Sequence, residues 1–244
     1  MIMKYLFSLL IVFSLVEINA QQTPADAQSQ PISIVGATAH IGNGEVISNA
    51  LLIFENGKIT NMTSLDNSDV QPQGKIIKAE GKHVYPGFIA PNSTLGLAEI
   101  DAVRATRDED EVGSFLPHVR SIIAYNSESK VVESMRPNGV LMGQIAPRGG
   151  RISGTSSIVQ FDAWNWEDAI LKENDGLHMN WPRSFSRSGN WYDPDRRYEI
   201  NKNYANQLDE VKTFFEKSKA YHQSKNLDKN TVYEAMKGLF DGSQ

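Results

Sequence analysis

The stretch 82–97 constrains the fold more than any other part of this sequence. It begins with β-branched and aromatic residues, passes through a Pro-Gly pair, continues with Phe88 and Ile89, and ends in small polar residues. Apolar runs of this length, bounded by turn residues, are typical of a buried strand that ends in a loop. We therefore predict one buried strand at 84–89.

Two polar side chains, Asn92 and Thr94, follow the predicted strand. Side chains at positions i and i+2 of an extended segment point to the same side, so the sequence predicts that these two share a face. A neutral amide and a hydroxyl bind hard cations only alongside carboxylates, and they are poor ligands for Zn²⁺. The pair therefore predicts no metal site.

The same stretch resembles the first barrel strand of the amidohydrolase superfamily, Val-x-Pro-Gly-(Phe/Leu)-Ile-Asp-x-His-x-His. The match holds through Ile89; the aspartate of the motif then falls on Ala90, and its two histidines fall on Asn92 and Thr94. The resemblance implies a metal-dependent hydrolase scaffold without its His-x-His metal site. Members of the family normally use zinc or another divalent metal, whereas we expect no cofactor in this chain.

A second informative stretch is 147–155, with the sequence PRGGRISGT, which follows a predicted strand at 140–146. Glycine-rich backbone can present N–H groups to an anion, and arginine adds forked donors. The alternative is a tight loop that needs glycine for positive φ, and the sequence leaves both open. Exported amidohydrolases related to imidazolonepropionase carry a similar Arg-Gly-Gly-x-Ile-Ser-Gly loop.

The candidate substrate-binding residues are His178, Arg148, Gly149, Gly150 and Ser153. His178 lies in an apolar segment beside the predicted barrel mouth, and it is the histidine that we favour for a substrate contact. No catalytic residue is assigned, because no nucleophile–base pair can be recognised in the sequence. The acidic run 108–111 is interpreted as a solvated loop rather than a cation site.

Residues 31–82 contain short strand-like segments separated by turn residues, among them Asn56-Gly57, the preferred pair of a type I′ hairpin. This pattern predicts a small antiparallel β-domain. The resemblance implies that the domain is half of a β-sandwich that strands from the far C-terminus complete. His40 and His83 in this region are interpreted as packing or surface residues.

The predicted fold class is α/β, with the partial β-sandwich at 31–82 followed by an incomplete TIM-like (β/α) barrel at 83–244. We expect barrel strands at 84–89, 140–146 and 156–161. Helices are predicted at 114–125, 128–135, 198–225 and 231–240, with a helix-like segment at 164–171 and a long loop or lid at 183–197. A full barrel takes ~250 residues, so we expect a truncated chain that lacks the later ligands of the family.

The first residues indicate export. Lys4, an apolar run at 5–16 and Ala20 predict a signal peptide at 1–20, and residues 21–30 read as a disordered leader. The sequence contains no cysteine, so it forms no disulfide and carries no lipid-modified cysteine. We expect a periplasmic or secreted protein that is not membrane-bound after cleavage.

The net charge of −5 gives no basic footprint for nucleic acid. The resemblance implies an amidohydrolase-family hydrolase of non-peptide C–N bonds, and without the His-x-His site we expect it to be inactive alone, that is, a pseudoenzyme. The alternative is a non-enzymatic assembly or binding module, as a homo-oligomer or paired with another amidohydrolase chain. A third interpretation, an enzyme with a different site at 147–155 and His178, ranks last.

Overall fold

The computed structural model describes residues 23–190, 192, 197–224 and 228–243. The predicted signal peptide and the first two residues of the predicted leader lie outside the described residues. The rest of the leader forms no helix or strand, and the Gln28 amide donates a hydrogen bond of 2.9 Å to the Phe54 carbonyl oxygen.

The first sheet contains five strands. They are β1 (Ile32–His40), β2 (Val46–Glu55), β3 (Lys58–Ser64), β4 (Lys75–Lys78) and β5 (His83–Val84). The order is β3-β2-β1-β4, with β5 also on β1; the first three strands are antiparallel, whereas β4 and β5 run parallel to β1. The all-antiparallel prediction for 31–82 is therefore wrong at β4. The long connection 65–74 carries the chain back beside the start of β1, where Lys75 N–H donates to the Pro31 carbonyl oxygen.

The hairpin between β2 and β3 confirms the turn prediction. Asn56 and Gly57 have φ of 51° and 72°. Positive φ at both central residues is the requirement of a type I′ turn.

The single strand predicted at 84–89 is wrong, because it is split between two sheets. β5 ends at Val84, and the next strand, β6 (Phe88–Ser93), begins after Pro86 and Gly87. Proline has no N–H for a ladder, and a Cβ on Gly87 would lie 2.6 Å from a methyl carbon of Leu141. The chain thus crosses from one sheet to the other at this pair.

The second sheet has the order β6-β7-β8-β9, with β7 at Val140–Ile145, β8 at Ile152–Gln160 and β9 at Ile170–Met179. β6 and β7 are parallel, but β8 is antiparallel to both β7 and β9. The incomplete barrel is not confirmed: the connection 146–151 is too short for the crossover that a parallel strand requires. β9 also replaces the end of the helix-like segment predicted at 164–171.

The helix predicted at 114–125 is absent apart from a 3₁₀ turn at Ser121–Ala124. Its backbone instead pairs with β8: Leu116 N–H donates to Ile152 O at 2.9 Å, and Thr155 N–H donates to Val119 O at 2.8 Å. Two other 3₁₀ turns lie at Arg104–Thr106 and Arg136–Asn138. The prediction at 128–135 is confirmed as α1 (Lys130–Met135), where the Ser129 hydroxyl accepts from Val132 N–H.

The remaining elements follow β8 in the chain. They are α2 (Trp166–Ala169), a β10–β11 hairpin (Phe185–Arg187 with Tyr198–Ile200), α3 (Tyr204–Gln223), α4 (Thr231–Glu234) and α5 (Lys237–Asp241). β10 lies in the predicted loop 183–197, and β11 occupies the start of the helix predicted at 198–225. Asn230 caps α4. No helix in the described part of the chain is long and apolar enough to cross a membrane.

The main hydrophobic core lies between the second sheet, α1 and the 3₁₀ turn at Ser121–Ala124. Its buried members are Leu97, Ile122, Tyr125, Val132, Ile145, Val159, Phe161, Ala163 and Ala169. Because this core holds β7 and β8 from one side, it fixes the loop between them, which carries most of the candidate residues.

Candidate functional site

Arg148 and Asn92 are in direct contact. The Arg148 guanidinium donates to the side-chain oxygen of Asn92 and to its backbone carbonyl oxygen. Asn92 has φ of 47°, and the β6–β7 register shifts between Ala90 and Ser93. This irregularity interrupts the strand alternation, so the sequence expectation that Asn92 and Thr94 share a face of one strand does not hold.

A polar chain runs from Asn92 across β7 to β9. The side-chain oxygen of Gln144 accepts from Asn92 N–H at 3.1 Å, and its amide nitrogen donates to Asp175 at 2.8 Å. Lys172 forms an ion pair of 2.8 Å with the same carboxylate. The hydrogen bonds from Lys172 and Gln144 lower the pKa of Asp175, so this carboxylate is ionised at neutral pH.

His178 lies on β9 opposite Gly154 of β8 and is half-buried. Burial lowers the pKa of His178, the positive charge of Arg148 lowers it further, and Asp175 opposes both effects. Its imidazole is therefore neutral at neutral pH. A neutral imidazole can both donate and accept a hydrogen bond, which is compatible with the substrate contact predicted from the sequence.

The two glycines after Arg148 meet the steric requirement of a tight loop. Gly149 and Gly150 have φ of 78° and 55°. A Cβ on Gly149 would lie 3.1 Å from the Cβ of Asp110, and one on Gly150 would lie 3.0 Å from the carbonyl oxygen of Gly113. Positive φ and close neighbours both favour glycine here.

Three backbone N–H groups of this loop donate hydrogen bonds to carbonyl groups elsewhere in the protein. Arg148 N–H donates to Glu109 O, and the N–H groups of Arg151 and Ile152 both donate to Ser114 O. The Asn180 amide donates to the carbonyls of Gly149 and Gly150 at 3.0 Å each. These three N–H groups are therefore not available to an anion.

The Ser153 hydroxyl also stays within the loop. It is buried and donates to the Gly149 carbonyl oxygen at 2.5 Å, while the Asn180 amide lies 3.3 Å from it. Asn180, the residue after β9, thus holds the candidate loop, and sequence reasoning missed it. Its position after the apolar run 177–179 carries no motif that would have revealed it.

The acidic run 108–111 packs against the loop, and the interpretation of it as a solvated loop is wrong for Glu109. Glu109 is 5% exposed, and its carboxylate accepts hydrogen bonds from the Arg107 guanidinium. Asp110 lies 3.4 Å from the Arg104 guanidinium. A cleft of about 490 Å³ opens beside this run and is lined also by Pro147 and His118. Local arginines, rather than solvent, compensate the buried acid.

The residues at 92 and 94 do not fit the divalent metal that the resemblance implies. The side-chain oxygen of Asn92 already accepts from a guanidinium, whose positive charge repels a cation at the same atom. Within the described residues, no group of three or more His, Cys, Asp and Glu side chains converges on a common point. Instead of binding a metal ion, Asn92 accepts hydrogen bonds from the Arg148 guanidinium.

Comparison with solved structures gives an extended likeness to an amidohydrolase. An amidohydrolase from Thermotoga maritima MSB8 superposes with a TM-score of 0.66 at 19% identity, over 86% of this chain and 55% of that chain. Two other solved structures superpose over shorter parts of the chain. Molinate hydrolase has a TM-score of 0.25 at 32% identity, over 29% of this chain and 16% of that chain. A prolidase has a TM-score of 0.31 at 16% identity, over 46% of this chain and 25% of that chain. No family model and no curated protein sequence matches the chain.

The first likeness confirms the amidohydrolase resemblance at the level of the fold. This chain spans about half the length of the Thermotoga protein. Over most of its own length, this chain therefore shares its fold with a solved amidohydrolase.

Proposed function

We propose that this chain is an amidohydrolase-like protein of the hydrolase class whose own residues do not support metal-dependent hydrolysis of non-peptide C–N bonds. The observation that carries the proposal is the contact between Arg148 and Asn92. The likeness to the Thermotoga amidohydrolase supports the hydrolase scaffold.

The chemical argument concerns the water nucleophile. In metal-dependent hydrolysis, a bound divalent ion lowers the pKa of a water molecule and thereby generates hydroxide at neutral pH. A guanidinium at the same place cannot coordinate water oxygen, and it raises the electrostatic free energy of any metal ion beside it. Arg148, neutral His178 and the Gln144–Asp175 pair can bind and orient a polar ligand, but they form no nucleophile–base pair.

Metal binding tests this proposal directly. We expect purified wild-type protein to hold much less than one equivalent of Zn²⁺, Fe or Mn²⁺ by elemental analysis after dialysis against each ion. The double variant Asn92→His/Thr94→His should bind Zn²⁺ more weakly than the triple variant that adds Arg148→Met, because the triple variant removes the competing charge. One equivalent in the wild type that disappears in Asn92→Ala/Thr94→Ala would overturn the proposal.

An assembly role is the second candidate, and the exposed edge of β6 favours it. Among the strands that the structure describes, β6 pairs only with β7, and its Phe88 and Ile89 are 68% and 55% exposed. An open edge strand with exposed apolar side chains is a template for pairing with another chain. The occupant is a second copy or another amidohydrolase chain. Light scattering and co-purification test this role, and a stable monomer without a partner would contradict it.

Export is part of the same proposal. The composition of residues 1–20 supports a cleaved signal that delivers the protein to the periplasm or the medium. Cell fractionation with N-terminal sequencing tests it: we expect the exported protein to begin at Gln21. Retention of Met1 on the cytoplasmic protein would contradict it.

A further inference from the structure

Two histidines of the first sheet, outside the site described above, are in contact. His40 is the last residue of β1 and His83 the first residue of β5. The Nε2 atom of His40 and the Nδ1 atom of His83 are 2.9 Å apart. Both nitrogens can coordinate a metal ion when they carry a lone pair.

The register of the sheet explains why the rings meet. Thr38 lies opposite His83 in the parallel β1–β5 pair, so His40, two residues on, extends over the same face. Tyr85 lies on this face as well, and its ring stacks on that of His40 with centroids 4.2 Å apart and planes 9° apart. The intervening Ala39 is buried on the opposite face. The backbone and the Tyr85 ring thus hold the two imidazoles in place.

The face is accessible from solvent. His83 is exposed, His40 is partly exposed, and Tyr85 is 61% exposed. Water can therefore complete the coordination of an ion that the two imidazoles hold. No third His, Cys, Asp or Glu joins them among the residues that the structure describes.

The separation of the nitrogens favours one geometry for an ion that replaces their hydrogen bond. Nitrogens at adjacent corners of a square plane, each about 2.0 Å from the ion, are about 2.8 Å apart, whereas a tetrahedral ion separates them by about 3.3 Å. The observed 2.9 Å is the length of the hydrogen bond between the rings, and a square-planar ion can take its place with little change in the separation. Nitrogen ligands in that arrangement are typical of Cu²⁺ and Ni²⁺, and Cu²⁺ binds more tightly.

We propose that His40 and His83 form a two-histidine chelate for Cu²⁺, with Tyr85 as a positioning residue and water as the remaining ligands. The ion replaces the hydrogen bond between the rings and enters when both nitrogens are unprotonated. Rotation of the two rings directs both lone pairs towards the ion, and the separation of the strands does not change. The site is independent of Arg148 and Asn92.

Titration of tag-free protein with Cu²⁺ tests the proposal, with binding followed by equilibrium dialysis and by the visible absorption of the bound ion. We expect one equivalent to bind, and either His40→Gln or His83→Gln to weaken binding by about tenfold or more, because each removes the second arm of the chelate. The matched control is His118→Gln, which changes an exposed histidine elsewhere. Its affinity should equal that of the wild type.

Nuclear magnetic resonance supplies a readout that does not depend on affinity. Paramagnetic Cu²⁺ should broaden the imidazole signals of His40 and His83 at sub-stoichiometric ratios, before those of His118 and His222. Tyr85→Leu should weaken binding less than loss of either histidine. Equal affinity of the wild type and the His40→Gln and His83→Gln variants, with all three folded by circular dichroism, would overturn the proposal. So would first broadening at another histidine.

Discussion

The guanidinium of Arg148 holds Asn92 by both its side-chain oxygen and its backbone carbonyl oxygen, across 56 positions of sequence. One side chain thereby ties the end of β6 to the loop after β7. Asn92 has φ of 47° at this point, a conformation that asparagine tolerates better than most residues. The contact therefore stabilises an irregular strand end and places a positive charge where the resemblance implies a metal ion.

Replacement of Arg148 by Met should lower the free energy of unfolding by about 1–2 kcal/mol, because hydrogen bonds from a charged donor are lost at a half-exposed position. Urea unfolding followed by circular dichroism measures the change. The control is Arg183→Met, at an exposed arginine, which should change stability by less than about 0.5 kcal/mol. Equal effects of the two substitutions would contradict a structural role for Arg148.

Stability should fall as the pH decreases through the ordinary pKa of histidine, in part because of His178. Its pKa is lowered in the folded protein, so below about pH 6.5 the unfolded chain binds a proton that the folded chain does not. The contribution is present above this pH and is lost as the pH falls towards the folded-state pKa. Urea midpoints measured at several pH values on either side of that pKa follow the loss.

The variant His178→Gln should reduce this slope, and Arg148→Met should reduce it in the same direction by removing a positive charge that lowers the pKa of His178. His118→Gln serves as the matched histidine substitution at an exposed position. A wild-type slope that persists fully in His178→Gln would show that other groups produce it.

Removal of the Tyr125 hydroxyl should raise stability. Tyr125 is 5% exposed, and its hydroxyl oxygen has no hydrogen-bond partner in the described part of the chain. Burial also raises the pKa of this phenol. Tyr125→Phe should increase the free energy of unfolding by about 1 kcal/mol, because a buried polar group without a partner is unfavourable.

Tyr221→Phe is the matched comparison for Tyr125→Phe. Its hydroxyl donates to Glu234 at 2.8 Å and accepts from Asn230 N–H at 3.0 Å. We expect this substitution to lower the free energy of unfolding by about 0.5–1 kcal/mol. Thermal or urea unfolding distinguishes the two signs, and destabilisation of similar size by both would contradict the prediction.

A lysine at the exposed edge should block self-association and leave the fold intact. Ile89→Lys places a charge on the free edge of β6, where paired strands would bury it. We expect a shift towards monomer in light scattering, with a free energy of unfolding within about 0.5 kcal/mol of the wild type. Val112→Lys, at a residue 97% exposed and outside the strands, should not change the oligomeric state.

Local sequence patterns predicted the elements whose causes are local. The hairpin at Asn56-Gly57 depends on the backbone preferences of two residues, and α1 depends on Val131, Val132 and Met135 lying on one side with the Ser129 cap. The segment 114–125 was also predicted to be a helix, but it pairs with the backbone of β8 instead. A tertiary contact decided its structure, and a local pattern could not reveal it.

The candidate site was predicted in part. The sequence indicated Arg148, Asn92 and His178. In the structure, the Arg148 guanidinium contacts Asn92, and its charge lowers the pKa of His178. Three polar residues around them were missed: Gln144, which bonds Asn92; Asp175, which bonds Gln144; and Asn180, which bonds the 147–155 loop. Ordinary polar residues have no distinguishing spacing. The antiparallel direction of β8 was also missed, although the short connection 146–151 contained the information.

The parallel contacts of β4 and β5 with β1 determine how the first sheet can assemble. The pairings among β1, β2 and β3 join residues that are close along the chain. The pairings of β4 and β5 with β1 join distant residues, Ile32 with Lys75 and Thr38 with His83, and therefore close long loops. Loop closure opposes such pairings, so we expect them to form after the hairpins. During synthesis, β4 and β5 also emerge after β1, β2 and β3, and we therefore expect the contact between His40 and His83 to form after the three-stranded hairpin unit.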